Sequence, residues 1–259
     1  RSPDDMRPLG VDAAPKEIRP LLEALDRLFE RIALLLDRER RFAADAAHEL
    51  RTPLSAIKTH AQVARQERDP EKCDAALGGV IEGADRGTRL VEQLLVLSRV
   101  DQDAAIGTTG PVNLAKLAVE CVAETVPRAT AKGVDLGVAG ASDDPTVVIG
   151  NVDLLRILLR NLLDNAVRYT PAEGKVTVSV DVLDRTVILR VCDSGPGIPM
   201  GLRERVFDRF YRVAGSGQQG CGLGLSIVAR IAGLHGGSVA FEDRAGKSGA
   251  TIMVTLPAA

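Results

Sequence analysis

The sequence predicts two parts with different folds, a long helical hairpin followed by an α/β sandwich. Two heptad-like apolar patterns separated by a short turn predict the hairpin, since apolar residues that step by four and three positions share one helix face. Beyond residue 110, strand and helix patterns alternate, which predicts one layer of helices on one mixed sheet. A chain of 259 residues has room for both parts.

The first helix is predicted from residue 16 to about Gln66. Its apolar seam steps by 4, 3, 4 and 3 through Leu21, Leu25, Leu28, Ile32 and Leu35. A single amphipathic helix on a domain stays an alternative, because the pattern alone does not exclude it. RDP at 68–70 predicts a turn.

The second helix repeats the same spacing. Its seam runs through Leu77, Ile81, Ala84, Thr88, Val91, Leu95 and Ser98. A hairpin of two helices buries its apolar stripe poorly by itself. We therefore expect two hairpins to pair as a dimeric four-helix bundle.

The α/β part begins after QDAAIGTTGP, 102–111, which is typical of a linker. Helices are predicted near 113–126, at 151–168 and at about 223–234. Strands are predicted near 134–138 and 146–149, and at 175–182, 186–192, 237–242 and 250–256. The strands at 175–182 and 186–192 flank a short turn and predict a β-hairpin.

Composition excludes several classes of protein. A net charge of −2 argues against binding to nucleic acid by phosphate neutralisation. The cysteines, Cys73, Cys121, Cys192 and Cys221, form no C-x-x-C pair, so a disulfide or zinc framework is not expected. The sequence contains no run of about 18 apolar residues, so no membrane span is predicted. Because the sequence starts at Arg1 rather than Met, we expect a piece of a longer protein.

A histidine–glutamate pair stands inside the first helix, in AAHELRTPLSAI at 46–57. An H-E-x-x-H zinc site needs a second histidine four positions after His48. That position is Thr52, and Pro53 follows it. The zinc interpretation therefore lacks its second ligand.

A carboxylate with neighbouring glycines follows a predicted strand in DSGPGIP, 193–199. Gly195 and Gly197 allow positive φ and a close approach of the backbone to a ligand. Asp193 can accept a hydrogen bond from an exocyclic amine such as that of adenine. In isolation this motif is weak, and a simple turn is the better interpretation.

A glycine-rich segment, QGCGLGLSIVARIAGLHGG, leads into a predicted helix. Gly220, Gly222 and Gly224 leave backbone N–H groups at the helix N-terminus, where the dipole favours phosphate. The spacing is neither a P-loop nor a Rossmann fingerprint. The segment therefore predicts phosphate binding in a fold other than the P-loop or Rossmann folds.

Two amides share one face of the 151–168 helix in NLLDNAVRYTP, 161–171. Asn161 and Asn165 are four residues apart, and amide oxygens suit Mg²⁺. Arg168 and Tyr169 follow at the helix end, within reach of a phosphate and an adenine ring. Two asparagines that cap loops remain the alternative.

In order and spacing, these segments together resemble the nucleotide-binding boxes of bacterial sensor histidine kinases. Residues 161–169 resemble the N box, 193–197 and 220–224 the two glycine boxes, and VFDRFYR at 206–212 the F box. The segment around His48 resembles the H box. Cys221 departs from the usual glycine or threonine, and the lid after Arg212, AGSGQQ, is short.

The resemblance covers essentially the whole chain and implies three segments. Residues 1–37 would end a HAMP-type relay in a coiled-coil linker, 38–104 would form the dimerisation and phosphotransfer hairpin, and 105–259 the catalytic ATP-binding domain of the GHKL or Bergerat type. It implies a homodimer and a response-regulator receiver domain as partners, with no nucleic acid. It also implies the cytoplasmic portion of an inner-membrane sensor, bound to the membrane only through segments absent here.

The resemblance also implies roles for individual residues. His48 would attack the γ-phosphorus of ATP, Glu49 would accept or orient the ring proton, and Thr52 would serve dephosphorylation of the regulator. Pro53 removes one helical N–H and allows a bend. The expected ATP-binding residues are Asn161, Asn165, Arg168, Tyr169, Asp193, Gly195, Gly197, Arg212, Gly220, Gly222, Leu223 and Gly224, with Mg²⁺ held by Asn161 and Asn165.

Other residues are expected to serve the fold. Phe207 and Phe210 would pack the lid against the core. His60 is expected on the surface and His235 in a turn that ends a helix. A dimeric scaffold that transfers nothing, and an ATPase of the superfamily shared with gyrase, MutL and Hsp90, remain the alternative functions.

Overall fold

The computed structural model describes residues 18–101, 107–141, 145–213, 221–243 and 248–259. The chain forms two compact units, the first ending at Gly87 and the second beginning at Thr88. Residues 1–17, part of the predicted linker at 102–106, and the predicted lid with Gly220, at 214–220, lie outside the described residues.

The first unit contains one long helix and the beginning of a second, which are the predicted pair. Helix α1 spans Arg19–Gln66, 48 residues, and passes through Pro53 without interruption. Helix α2 begins at Pro70 and ends at Asp101, in the second unit. Proline is favoured at the first helical position because its missing N–H has no partner there. The Asp69 carboxylate accepts a hydrogen bond from the Glu71 N–H at 3.1 Å, which caps the start of α2.

Two glycines of α2 allow α1 to approach closely. A Cβ atom on Gly79 would lie 2.6 Å from His60 Nδ1, and one on Gly83 would lie 2.7 Å from Ile57 Cγ1. His60 is therefore half-buried against α2, and the expectation of a surface histidine was wrong. Sequence alone gave no reason to pair His60 with a glycine from the other helix.

The predicted seam of α2 is not the face that packs against α1. Leu77 and Ile81 are 48% and 62% exposed, whereas Ala76 and Gly83 are buried. Helix α2 therefore carries two apolar stripes. One packs within the hairpin, and the predicted one faces outward in the single chain.

The second unit contains the predicted α/β layers. Its helices are α3 (Leu114–Ala131), α4 (Val152–Tyr169) and α5 (Gly224–Leu234). Its strands are β1 (Gly110–Asn113), β2 (Asp135–Ala141), β3 (Val147–Gly150), β4 (Lys175–Leu183), β5 (Thr186–Asp193), β6 (Ser238–Phe241) and β7 (Thr251–Pro257). One sheet has the order β2-β4-β5-β7-β6, with β2 parallel to β4 and the other neighbours antiparallel.

A small second sheet was not predicted. β1 pairs antiparallel with β3, in a segment that the sequence indicated as the end of a linker. Gly110 and Pro111 are poor strand formers, which explains the error. The strand is held by its partner and by the Leu114 N–H, which donates to the Thr146 carbonyl at 2.8 Å.

The core lies between the helices and the five-stranded sheet. α4 packs against α3, α5 and β5. It contributes five fully buried leucines, Leu155, Leu158, Leu159, Leu162 and Leu163. This apolar stripe fixes the rotation of α4 about its axis and so determines which of its residues lie at the edge of the core.

The last part of α2 also belongs to the second unit. Leu97 and Val100 are buried, and the Val100 carbonyl accepts a hydrogen bond from Arg230 Nε of α5 at 3.2 Å. Within the described part of the chain, no helix combines the length and the hydropathy that a membrane crossing requires.

Candidate functional site

Helix α4 places both amides of the predicted N box beside the start of α5. Asn151 caps the start of the helix, and its side chain accepts hydrogen bonds from two N–H groups of the first turn. Asn161 Nδ2 donates to the Ile157 carbonyl at 2.8 Å. Asn161 Oδ1 and Asn165 Nδ2 each lie 3.2 Å from the position of a Cβ atom on Gly224. The structure thus brings the N box and the second glycine box together.

The loop before α5 requires glycine at position 222. Gly222 has φ +72°, and a Cβ atom there would lie 2.7 Å from the backbone of both Phe210 and Tyr211. Its carbonyl accepts a hydrogen bond from the Phe210 N–H at 3.0 Å. Leu223 is fully buried and anchors the loop to the core. The N–H groups at the start of α5 are therefore presented in a fixed position.

Asp193, at the end of β5, is 8% exposed. Its Oδ1 accepts hydrogen bonds from the Gly195 N–H at 2.8 Å and the Ala250 N–H at 3.2 Å. These bonds fix the orientation of the carboxylate. Its position in a tight turn at a strand end agrees with the prediction.

The two glycines beside Asp193 serve the fold in a way that the sequence did not indicate. A Cβ atom on Gly195 would lie 2.8 Å from the Tyr169 carbonyl oxygen, and one on Gly197 would lie 2.8 Å from the Gly249 carbonyl oxygen. Gly197 also has φ +73°. In the structure, these glycines make room for the chain's own backbone.

Lys132 holds the C-terminal turn of α4, and sequence reasoning missed it. Its Nζ donates to the Val167 carbonyl at 2.9 Å and also to the Arg168 carbonyl. A cation at this end of a helix is stabilised by the terminal carbonyls. Burial lowers the pKa of Lys132, and the nearby Arg168 charge lowers it further. The backbone that carries Arg168 and Tyr169 is thereby held in place.

Phe207, in the segment between the glycine boxes, packs against β6, whereas the lid that it was expected to hold lies outside the described residues. Its ring lies 5.5 Å from that of Phe241 on β6. Phe210 has φ +60°, in the left-handed region. Arg205 lies over the Tyr211 ring, 4.5 Å from its centroid, and Arg212 is exposed.

Two further contacts were not predicted. Cys221 Sγ donates to Gln93 Oε1 at 2.8 Å, so the second glycine box contacts the end of α2 within the second unit. His235 Nε2 accepts from the Asn151 N–H at 3.1 Å, and its Nδ1 lies 2.8 Å from the Ile231 carbonyl. His235 therefore supports the start of α4 in addition to ending α5.

The predicted phosphoacceptor is accessible on α1. His48 is exposed, Glu49 is half-buried, and Thr52 Oγ1 lies 3.5 Å from the His48 carbonyl. Neighbouring residues on a helix point in different directions. The Glu49 side chain therefore leaves α1 in a different direction from that of His48.

The donor set of the second unit fits Mg²⁺ better than a transition metal. Among the residues that the structure describes, no group of three or more His, Cys, Asp or Glu side chains could hold a metal ion. The amides of Asn161 and Asn165 converge beside Gly224. Neutral oxygen donors of this kind suit a hydrated Mg²⁺ that also binds phosphate oxygens.

Comparison with known proteins agrees with this arrangement. Residues 150–259 match the family of histidine kinase-, DNA gyrase B- and HSP90-like ATPases. Residues 38–103 match the His Kinase A phospho-acceptor domain. The second unit thus contains an ATPase-type domain of this class, and the helical hairpin is of the phospho-acceptor type.

Whole-chain relatives identify the family. Sensor protein kinase PmrB of Pseudomonas aeruginosa is 41% identical over 259 residues, 99% of this chain and 54% of that protein. Sensor protein BasS of Salmonella typhimurium is 33% identical, over 99% of this chain and 70% of that protein. A structure of the mycobacterial sensor histidine kinase MprB is 31% identical, with a TM-score of 0.52, and covers 58% of this chain and 97% of that one.

The chain belongs to the sensor histidine kinase family. It spans about half the length of most of the curated relatives it matches.

Proposed function

We propose that this chain transfers the γ-phosphoryl group of ATP to His48 and then passes it to an aspartate of a response-regulator receiver domain. The observation that carries the proposal is the meeting of Asn161 and Asn165 with Gly224 at the start of α5. An amide pair beside unpaired helix N–H groups is suited to a triphosphate with its cation.

The nucleotide is proposed to lie between the residues already described. Asp193 accepts a hydrogen bond from the adenine amine, and Tyr169 lies against the base. Arg168 and Arg212 add positive charge near the phosphates, which stabilises charge that develops during transfer. Gly195, Gly197, Gly222, Leu223 and Gly224 shape the two loops, and Gly220 is proposed as part of the second.

Mg²⁺ is proposed to bind through Asn161 and Asn165. When bound, it would neutralise charge on the triphosphate. The amide oxygens contribute no charge themselves, so the site depends on the phosphates for much of its affinity for the cation.

His48 is proposed as the nucleophile because it is exposed on α1 and imidazole is nucleophilic when neutral. A bond forms between a ring nitrogen and the γ-phosphorus, and the bond from that phosphorus to the bridging oxygen breaks, which releases ADP. Glu49, which follows His48 on α1, is proposed to accept or orient the proton of the other ring nitrogen after its side chain turns towards the ring. Thr52, one turn further on, is proposed to position water for dephosphorylation of the regulator.

A homodimer through the hairpin is proposed from its outward apolar stripe. Leu54 on α1 is 61% exposed, and Leu77 and Ile81 on α2 are 48% and 62% exposed. A second hairpin would bury these side chains, and each would contribute hydrophobic stabilisation. Pro53 is proposed to let α1 bend next to His48.

We further propose the division into 1–37, 38–104 and 105–259. In this arrangement the chain is the cytoplasmic portion of a bacterial inner-membrane sensor, whose sensing and membrane segments lie outside it.

Incubation with γ-labelled ATP and Mg²⁺ tests the proposal. Wild type should take up acid-labile, alkali-stable label, and His48→Gln should take up none while it still binds ATP. His60→Gln, on the same helix, is the matched control and should be labelled. ATP binding without label in the wild type would favour a scaffold, and equal label in His48→Gln would show that another residue is the nucleophile.

A further inference from the structure

His235 joins the two helices that carry the N box and the second glycine box. Its Nε2 accepts a hydrogen bond from the Asn151 N–H at 3.1 Å, and its Nδ1 lies 2.8 Å from the Ile231 carbonyl oxygen. Asn151 caps the start of α4, and Ile231 lies in the last turn of α5. One imidazole ring therefore bridges the backbones of two helices.

The two contacts define the protonation state of the ring. The Asn151 N–H is a donor, so Nε2 must offer its lone pair, and the Ile231 carbonyl accepts the proton on Nδ1. A neutral ring makes both bonds. An imidazolium carries a proton on each nitrogen, and the one on Nε2 would face the Asn151 N–H. Addition of a proton therefore breaks the contact with α4.

The ring is seated closely against the end of β3. A Cβ atom on Gly150 would lie 2.5 Å from His235 Cδ2 and 2.8 Å from its Nε2. Gly150 directly precedes Asn151, so the missing side chain lets the ring reach the N–H group at the start of α4. Any side chain at position 150 would push the ring away from that helix.

Helices α4 and α5 are held together near both ends of α5. They pack against each other, with His235 on Asn151 at one end and Gly224 beside Asn161 and Asn165 at the other. At the rise of an α-helix, the intervals from 151 to 161 and from 224 to 235 are both about 15–17 Å long. Two contacts at this separation fix the position of α5 along α4 and its rotation against it.

We propose that His235 is a positioning residue for nucleotide binding, which in its neutral form sets the placement of α5 on α4 and so the distance from the N-box amides to Gly224. This inference rests on the proposed function, in which those groups hold the phosphates and Mg²⁺. Loss of the bond to Asn151 frees the far end of α5, and packed helices respond to such a loss by small shifts as whole elements. Protonation of Nε2 has the same effect, so nucleotide affinity should fall in acid.

Other charged groups on the surrounding elements do not account for such a pH dependence. β3 and β7 carry no charged side chain. α4 contributes Asp153 in its first turn, and α5 contributes Arg230, whose Nε donates to the Val100 carbonyl at 3.2 Å. Carboxylates and guanidinium groups keep their charge between about pH 5.5 and 8, whereas imidazoles titrate within that range.

His235→Phe and His235→Gln test the proposal. Phenylalanine keeps a ring without either hydrogen bond, so at about pH 8 the dissociation constant of a non-hydrolysable ATP analogue should rise about threefold to tenfold, as for residues that act on a site through intervening structure. Glutamine keeps an acceptor that does not titrate, so it should restore most of the affinity. At about pH 5.5 the wild type should bind about threefold to tenfold more weakly than His235→Gln.

Asn113→Ala is the matched control. Asn113 caps α3, where its side chain accepts from the Lys116 N–H at 2.9 Å, and α3 carries none of the proposed nucleotide-binding residues. This variant should lower the melting temperature and leave the affinity of the wild type unchanged at both pH values. Wild-type affinity in His235→Phe would overturn the inference, as would the same pH dependence in the wild type and His235→Gln.

NMR of the nucleotide-free protein separates this inference from the proposed function. The side-chain amide signals of Asn161 and Asn165 should shift in His235→Phe and on acidification of the wild type, but not on acidification of His235→Gln. Signals that stay unchanged in all three cases refute the positioning role, whether or not nucleotide binds. A wild type that binds the analogue but takes no label from ATP refutes the kinase proposal, and these signals still decide the role of His235.

Discussion

Replacement of Asp193 should separate the stability of the second unit from nucleotide binding. Its Oδ1 accepts hydrogen bonds from two backbone N–H groups, at 2.8 and 3.2 Å, and the residue is 8% exposed. Asp193→Ala removes both bonds. Asp193→Asn keeps an oxygen at the same position and replaces the other carboxylate oxygen with an amide that donates.

The hydrogen bonds set the expected loss of stability. A hydrogen bond to a charged group contributes about 1.5–3 kcal/mol, and the second bond is long, so Asp193→Ala should cost about 3 kcal/mol. For a unit of this size that corresponds to a fall of about 6–12 °C in melting temperature. Asp193→Asn keeps both bonds in neutral form, so its fall should be about half as large.

Both variants should nevertheless lose nucleotide binding. The carboxamide of Asp193→Asn presents a donor to the donor amine of adenine, so the dissociation constant should rise at least about tenfold. Thermal unfolding followed by circular dichroism measures the melting temperature, and isothermal titration with a non-hydrolysable ATP analogue measures the dissociation constant. The reasoning is refuted if Asp193→Asn melts as low as Asp193→Ala, or if it binds the analogue as tightly as wild type.

Two further predictions concern helix packing and pH. Gly83→Ala should lower the melting temperature, since its Cβ would lie 2.7 Å from Ile57 Cγ1. Gly78→Ala is the control, because a Cβ there has no atom within 4 Å, and it should raise the free energy of unfolding by the usual helix preference of about 0.5–1 kcal/mol. Equal shifts in the two variants would contradict the packing of α1 on α2. Burial lowers the pKa of Lys132 below its ordinary value near 10.5, so the folded state releases this proton at lower pH than the unfolded state. The free energy of unfolding should therefore increase as the pH rises towards about 10.5. In urea titrations across that alkaline range, the free energy of unfolding of Lys132→Met should depend less on pH than that of the wild type. The same pH dependence in both proteins would contradict the burial of Lys132.

Local patterns were sufficient for most of the helices and strands. Helix α4 combines an N-cap at Asn151 with a continuous leucine stripe, and both signals lie within a few residues of each other. Strand β1 was missed because Gly110 and Pro111 have no strand preference of their own, and the pairing with β3 comes from a distant part of the chain. The periodicity of α2 predicted the outward seam, and its pairing with a second hairpin stays a proposal.

The candidate site was predicted to a similar extent. The motifs gave the residue types that meet at Gly224, but not the contacts that support them. Lys132 lies 35 residues before the Val167 carbonyl it binds, and the sequence around Lys132 carries no sign of that bond.

Localisation of the phosphoryl group tests the central claim most directly. After incubation with ATP and Mg²⁺, the protein would be digested at neutral to alkaline pH and its peptides analysed by mass spectrometry, since a phosphorylated histidine is labile in acid. One phosphoryl group is expected on the peptide that contains His48, and it should be absent from His48→Gln and from Asp193→Asn. A stable phosphoryl group on a serine or threonine, or one on the peptide that contains His235, would contradict it.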